Sequence, residues 1–383
     1  MSTVSPATKR RGLLAFGLAA AAVVVLTWQR NAGISNDGVQ YVEGARRLLA
    51  GDGYSTSILY FDEHYRSGTL PSPQTVWPPG TSGAIAAVSA LGIEPEVAGR
   101  VVARVAYLFL PPLVFLIGIR LTGSAVAAAW CAVWQLGMTE FWMYLGTPNS
   151  DLPFLAASLG AIALLPDRGQ SRWRWLAASL LGSLAVLFRY AGVFLLLPIA
   201  LVLVTDAVQT WRRSGTLALG PIAFAAPGFA IVGALLLRNR LLAGDLRGGN
   251  TRVLHQPLGG LLTETFRSLL DTLGGIARSD FAAGGVRAVA ATVGAIGLGV
   301  LTLAAGRGAV RLARSFTVGI PAHRYFGVLG LMVLTYIVAM VVTASRTMLT
   351  YGQRYLLPVL PLIACLLISL ALQARTDRAR NAA

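Results

Sequence analysis

Apolar windows follow one another along almost the whole chain, at 12–28, 98–119, 122–138, 152–165, 174–188, 190–205, 217–237, 286–305, 325–343 and 355–373, with mostly short polar gaps between them. A bilayer core takes roughly 20 apolar residues per helical crossing, and every backbone N–H and C=O inside it has to be satisfied within the helix. The pattern therefore predicts an all-α polytopic transmembrane bundle of about ten spans. A charged content of 13% agrees with this, since soluble domains carry about 25%; so does a mean hydropathy of +0.65. The stretch 79–92 is apolar but short for a crossing, and it is expected to be re-entrant or interfacial. Residues 1–373 are expected to form a single transmembrane domain and 374–383 a short basic cytoplasmic tail.

A net charge of +16 raises the question of nucleic acid. The arginines are scattered through the connections between apolar windows and build no basic face interleaved with stacking aromatics, so no nucleic-acid partner is expected. Their distribution fits a membrane protein instead. With the N-terminus inside, the short inner connections hold Arg120, then Arg168, Arg172 and Arg174, then Arg212 and Arg213, then Arg307, Arg311, Arg314 and Arg324, with Arg375, Arg378 and Arg380 in the tail. That is the positive-inside pattern, and it predicts a multi-pass cell-membrane protein with both termini cytoplasmic. Lys9, Arg10 and Arg11 ahead of the first window resemble a secretory signal, but no small-residue cleavage site precedes Trp28, so the segment is read as a retained first span. Cys131 and Cys365 both lie inside apolar windows and give neither a disulfide framework nor zinc-ligand spacing.

Under this topology two long loops face outward, near 29–97 and 238–285, and loops of membrane bundles are where chemistry concentrates. The first is expected to contain short interfacial helices. Tyr41, Val42, Ala45, Leu48 and Leu49 recur at helical spacing and predict an amphipathic helix lying on the membrane, stopped at Gly51. Asp37 stands at its start. Asp37 or Asn36 is either a helix N-cap or, in the case of Asp37, a carboxylate placed to take a proton from an acceptor hydroxyl. Asp151, in Thr147-Pro148-Asn149-Ser150-Asp151, also opens a helix and carries the same two readings. Arg189 interrupts a long apolar run, where a charge is costly unless it marks a turn or meets a partner. Arg354 introduces the last span. Arg100 and Arg104, four residues apart, share a helix face and could snorkel to a lipid headgroup. His64, His255 and His323 show no ligand spacing.

The order of these segments carries a resemblance. An N-terminal span, an Asp-led amphipathic helix, WPPG (Trp77 to Gly80), PNSDLPF (Pro148 to Phe154), FRYAGVFLLLP (Phe188 to Pro198) and RYLLPVLP (Arg354 to Pro361) together resemble the GT-C membrane glycosyltransferases. Within them the chain is similar to the protein O-mannosyltransferase, lipid A aminoarabinose transferase and lipopolysaccharide-core transferase group, over most of residues 10–373. The resemblance implies a hexosyl- or pentosyltransferase of the cell envelope. Its donor would be a polyprenyl-phosphate sugar, its acceptor a glycan, lipid or protein, and its products formed with inversion at the outer face. It maps the catalytic base to Asp37 and a second acid to Asp151, and Arg100, Arg104, Arg189 and Arg354 are the candidates to hold the donor phosphate. A divalent metal, magnesium or manganese, is compatible with two aspartates but is not required by them. The alternative reading is a transporter or flippase for a lipid-linked anion, which also uses outer arginines and intramembrane prolines such as Pro111 and Pro112.

Overall fold

The computed structural model describes residues 4–29, 33–58, 68–166, 171–215, 219–246, 321–346 and 353–382, with short pieces at 248, 257, 259–261 and 265. The expected span 286–305, most of the second long loop, His64, His255 and the arginines 168, 307, 311 and 314 lie outside the described residues. Among the described residues, regular structure is almost entirely helical. Helices α1 (Pro6–Leu26), α2 (Asn36–Ala50), α3 (Gly80–Ser89), α4 (Pro95–Thr122), α5 (Ala125–Gly137), α6 (Thr139–Met143), α7 (Asp151–Leu164), α8 (Trp173–Phe188), α9 (Val193–Ser214), α10 (Leu219–Ala243), α11 (Pro321–Arg346), α12 (Gln353–Leu356) and α13 (Leu360–Ala382) follow the expected windows closely. Four stretches, Pro95–Thr122, Tyr190–Arg212, Leu219–Ala243 and Tyr325–Ser345, are long and apolar enough to cross a membrane, and α5, α7, α8 and the first half of α13 are shorter apolar helices. The stretch 79–92 becomes α3, ten residues long. At 1.5 Å per residue that is about 15 Å, half a hydrocarbon core.

The chain forms two compact units. One contains Ala19–Leu110 and Glu140–Arg252, the other Met1–Leu18, Pro111–Thr139 and Val253–Ala383. In the second, Phe115, Ile119, Ala128 and Ala132 make an apolar core against which Leu13 and Phe16 pack, with the rings of Phe16 and Phe115 5.2 Å apart. Arg120 lies over the ring of Tyr325 at 4.0 Å, a cation–π contact that keeps a guanidinium next to apolar helix surface.

The first unit is organised around α2. Its N-cap is Ser35, whose hydroxyl accepts the Gly38 N–H at 3.1 Å, and it ends at Gly51, whose φ of 84° is the left-handed conformation glycine adopts without a Cβ penalty. Glu43 and Arg47 pair one turn apart at 2.9 Å. The apolar face expected to lie on lipid does not do so. Tyr41, Val42 and Ala45 are buried with Ile85, Ala86 and Ala98 of α3 and α4, and Leu48 and Trp77 pack on the edge. The reason is that α3 offers a complementary apolar face within the same loop, and protein packing covers α2 before lipid can. Leu49, at the far edge of the stripe, stays exposed.

Close glycine approaches lock the loop onto the helices behind it. A Cβ on Gly38 would stand 2.8 Å from the Pro148 carbonyl oxygen, one on Gly99 2.6 Å from the Pro148 ring, and one on Gly80 2.6 Å from the Leu187 carbonyl. The three motifs WPPG, PNSD and FRYAG are therefore neighbours in space.

Candidate active site

The loop before α7 positions the first functional carboxylate. Asn149, not Asp151, caps this helix: its Oδ1 accepts the Leu152 N–H at 3.2 Å, and its Nδ2 donates to the carbonyls of Tyr144 at 2.6 Å and Thr147 at 2.8 Å. The Ser150 side chain makes no capping bond. Asp151 is thereby left for other work, and it is 3% exposed. A carboxylate so far from water needs a partner.

That partner is Arg189. Helix α8 ends at Phe188, and Arg189 takes an extended conformation before the short 3-10 turn Tyr190–Gly192. Gly192 is required there, since a Cβ would stand 2.7 Å from the Val186 nitrogen. The turn brings Arg189 Nη1 to Asp151 Oδ1 at 2.6 Å, a buried ion pair with side chains 16% and 3% exposed. The same nitrogen donates to Ser150 Oγ at 3.2 Å. Ser150 Oγ also accepts the hydroxyl of Tyr41 at 2.8 Å, which ties α2 to the pair.

Asp37 lies one turn before Tyr41 on α2, half-buried. Burial pushes the Tyr41 phenol well above its ordinary value, the negative charge of Asp37 adds to this, and Arg189 opposes it. Asp37, Asp151 and Arg189 all act on the Tyr41 phenol through their charges, and Tyr41 is bonded to Ser150 beside the ion pair. Ser35 caps α2, which leaves Asp37 outside that role, at the positive end of the helix dipole.

The other candidate arginines have surroundings of their own. Arg104 is buried on α4, with Nη2 donating to the Trp28 carbonyl at 2.7 Å and its guanidinium 4.0 Å over the Trp28 ring. Arg100 sits one turn earlier, half-buried. Arg354 belongs to the other unit, on the four-residue helix α12, half-buried.

Sequence reasoning missed the groups that hold the site in place. Tyr41 reads as one apolar position in a stripe, yet its hydroxyl is the link to Ser150. Tyr190, next to Arg189, donates to the Thr75 carbonyl at 2.6 Å and accepts from Asn239 Nδ2 at 2.8 Å. Arg238 of α10 donates to the carbonyls of Gln74 at 2.9 Å and Tyr54 at 3.3 Å. The one available signal was Arg238-Asn239-Arg240 closing an apolar helix, a polar run that a lipid-facing end alone does not call for.

A hard divalent cation takes about six oxygen ligands, several of them carboxylates or carbonyls. Here one oxygen of Asp151 is engaged by Arg189, and among the described residues no group of three or more His, Cys, Asp or Glu converges. Among the described residues the donor set at Asp151 does not make a metal site.

Residues 77–232 match the sequence profile of the dolichyl-phosphate-mannose-protein mannosyltransferase family. The structure is similar to ArnT from Cupriavidus metallidurans bound to undecaprenyl phosphate, with a TM-score of 0.56 and 17% identity over 94% of this chain. It is also similar to the archaeal oligosaccharyltransferase AglB from Archaeoglobus fulgidus in complex with an inhibitory peptide and a dolichol-phosphate, at 0.56 and 10% over 97% of this chain. The chain shares the fold of ArnT and AglB. It spans 60% of the ArnT chain and 50% of the AglB chain. No curated protein matches it in sequence. The profile match runs from Trp77 of the WPPG segment through Asp151 and Arg189, and Asp37 lies ahead of it. That fold and the four apolar helices long enough to cross a membrane make this a multi-pass membrane protein.

Proposed function

We propose that the protein is a membrane glycosyltransferase that moves a sugar from a polyprenyl-phosphate donor to a hydroxyl of a glycan, lipid or protein at the outer face of the membrane. The observation that carries this reading is the Asp151–Arg189 pair tied through Ser150 to Tyr41, one helical turn from Asp37, within a fold that in ArnT accompanies bound undecaprenyl phosphate.

In this mechanism Asp37 takes the acceptor hydroxyl proton as its oxygen attacks the anomeric carbon. The new C–O bond forms on the face opposite the phosphate, the bond from the anomeric carbon to the phosphate oxygen breaks, and its electron pair leaves on the polyprenyl phosphate. A single displacement inverts the anomeric centre. Arg189 faces the charge that grows on the departing phosphate, a role that preorganised donors fill because they need no reorganisation as the charge develops. Asp151 is a positioning residue: the ion pair fixes the guanidinium, and Ser150 and Tyr41 fix the pair. Both termini lie in the cytoplasm, which places α2 and the loop before α7 outside.

The test is incubation of purified protein with labelled polyprenyl-phosphate sugars, following release of polyprenyl phosphate. Wild type should release it in the presence of acceptor and Asp37→Asn should not. Unimpaired release by Asp37→Asn, in a protein of unchanged thermal stability, would remove the base from this mechanism.

A further inference from the structure

Arg104 is a charge inside an apolar helix with no acid beside it among the described residues. It lies about 13 Å along α4 from Pro95 at 1.5 Å per residue, and it is 5% exposed. Among the described residues its bonded partners are the Trp28 carbonyl and the Trp28 ring, both of which orient a guanidinium without neutralising it. Its Nε is buried and donates to nothing. Arg100, one turn away on the same face, adds a like charge within Coulomb range. Burying a cation costs several kcal/mol unless a counter-charge and hydrogen bonds offset it, and a buried donor left without an acceptor costs roughly 1–3 more. Two guanidiniums with an orphan N–H call for an anion.

The surroundings say what kind. Trp28 is half exposed, and Val25 and Leu26 of α1 and Val105 and Phe109 of α4 present large apolar side chains outward. An anion reaching Arg104 across such surface would carry its own apolar body. Tryptophan at a helix end marks the headgroup level of a bilayer, and the fork of a guanidinium matches phosphate oxygens in pairs.

We propose that Arg104, with Arg100 and Trp28, binds the phosphate headgroup of a membrane lipid, at a site separate from the Asp151–Arg189 locus. The chemistry is shared by two sources, an anionic phospholipid and a polyprenyl phosphate. The site stands whether or not the proposed transfer reaction does, since it rests on charge and burial at α4.

The experiment is native mass spectrometry of the detergent-purified full chain, titrated in separate arms with phosphatidylglycerol, with undecaprenyl phosphate and with an uncharged diacylglycerol. Wild type should retain a phosphate-bearing lipid and not the diacylglycerol, and the arm that binds tighter identifies the source. Arg104→Gln should weaken retention about tenfold and Arg100→Gln by less, while Arg240→Gln, at an exposed helix end, leaves it unchanged. If Arg104→Gln does not fold, Arg104→Lys, which keeps the charge but lacks the fork, should fold and still bind several-fold more weakly. Equal retention by wild type, Arg104→Lys and Arg100→Gln overturns the proposal. So does an equal loss of lipid in Arg240→Gln, because retention would then follow surface charge alone.

Discussion

Arg104 is buried and Arg189 largely so in the same unit, and the protein treats them in opposite ways. Arg189 meets Asp151 at 2.6 Å, with Ser150 and Tyr41 completing the hydrogen bonds. Arg104 meets an aromatic ring and a carbonyl. The first arrangement is internally neutral and is held by residues from three segments far apart in sequence. The second keeps its positive charge and faces an apolar exterior. A compensated guanidinium suits a site whose geometry has to be fixed before the substrate arrives, and an uncompensated one suits a site completed by its ligand.

The largest expected separation between the two regions is catalytic. Asp37→Asn should lower transfer by about 10²–10⁴-fold, the usual contribution of a general base, and leave lipid retention at Arg104 untouched. Rate and lipid stoichiometry measured on the same preparation check both halves. Next comes stability. Asp151→Asn should destabilise the protein by about 3 kcal/mol, because it removes the buried carboxylate that pairs with Arg189 at 2.6 Å. The double variant Asp151→Asn/Arg189→Met should recover part of that loss. By contrast Arg104→Met should stay within about 1 kcal/mol of wild type in lipid-free detergent, since removing an uncompensated charge offsets the lost contacts. Thermal unfolding in a single detergent orders the three. If Arg104→Met is as costly as Asp151→Asn, the contrast between the regions fails.

Smaller effects sharpen the Arg189 side. Asn149→Ala should cost about 1 kcal/mol, the worth of a helix cap, and should misplace Asp151 enough to lower transfer as well. Tyr41 gives a pH signature. Its phenol is raised in the folded protein by burial and by Asp37, so the stability it contributes is present below the unfolded value near 10 and is lost as pH rises beyond it. Tyr41→Phe should therefore flatten the decline of stability above about pH 10, at the cost of the hydrogen bond to Ser150. Tyr54, raised by burial in the same way, sets the slope that remains.

Much of this was written in local pattern. Gly51 as a stop, the α2 stripe, the shortness of the apolar stretch 79–92 and the singling out of Asp37, Asp151 and Arg189 all follow from helical period, turn chemistry and the cost of charge in an apolar run. What the sequence leaves open is pairing. Tyr41 and Ser150 are 109 positions apart, and Arg189 and Asp151 are 38 apart. No periodicity within either segment selects the other. The same limit explains α2: its stripe is legible, but whether lipid or α3 covers it depends on the fold of residues 80–89. Capping was ambiguous for a different reason. Asn36 and Asp37 follow a serine, and Asn149 and Ser150 precede Asp151, so each helix start offers several competent oxygens and backbone geometry chooses among them.

The assignment of the cap to Asn149 has a further effect. Because an amide holds the first turn of α7, the helix does not depend on the neighbouring acid. Exchanging the side chain at position 151 would release Arg189 without fraying the helix that carries it, so the contacts of the site can be altered one at a time while the scaffold beneath them stays still.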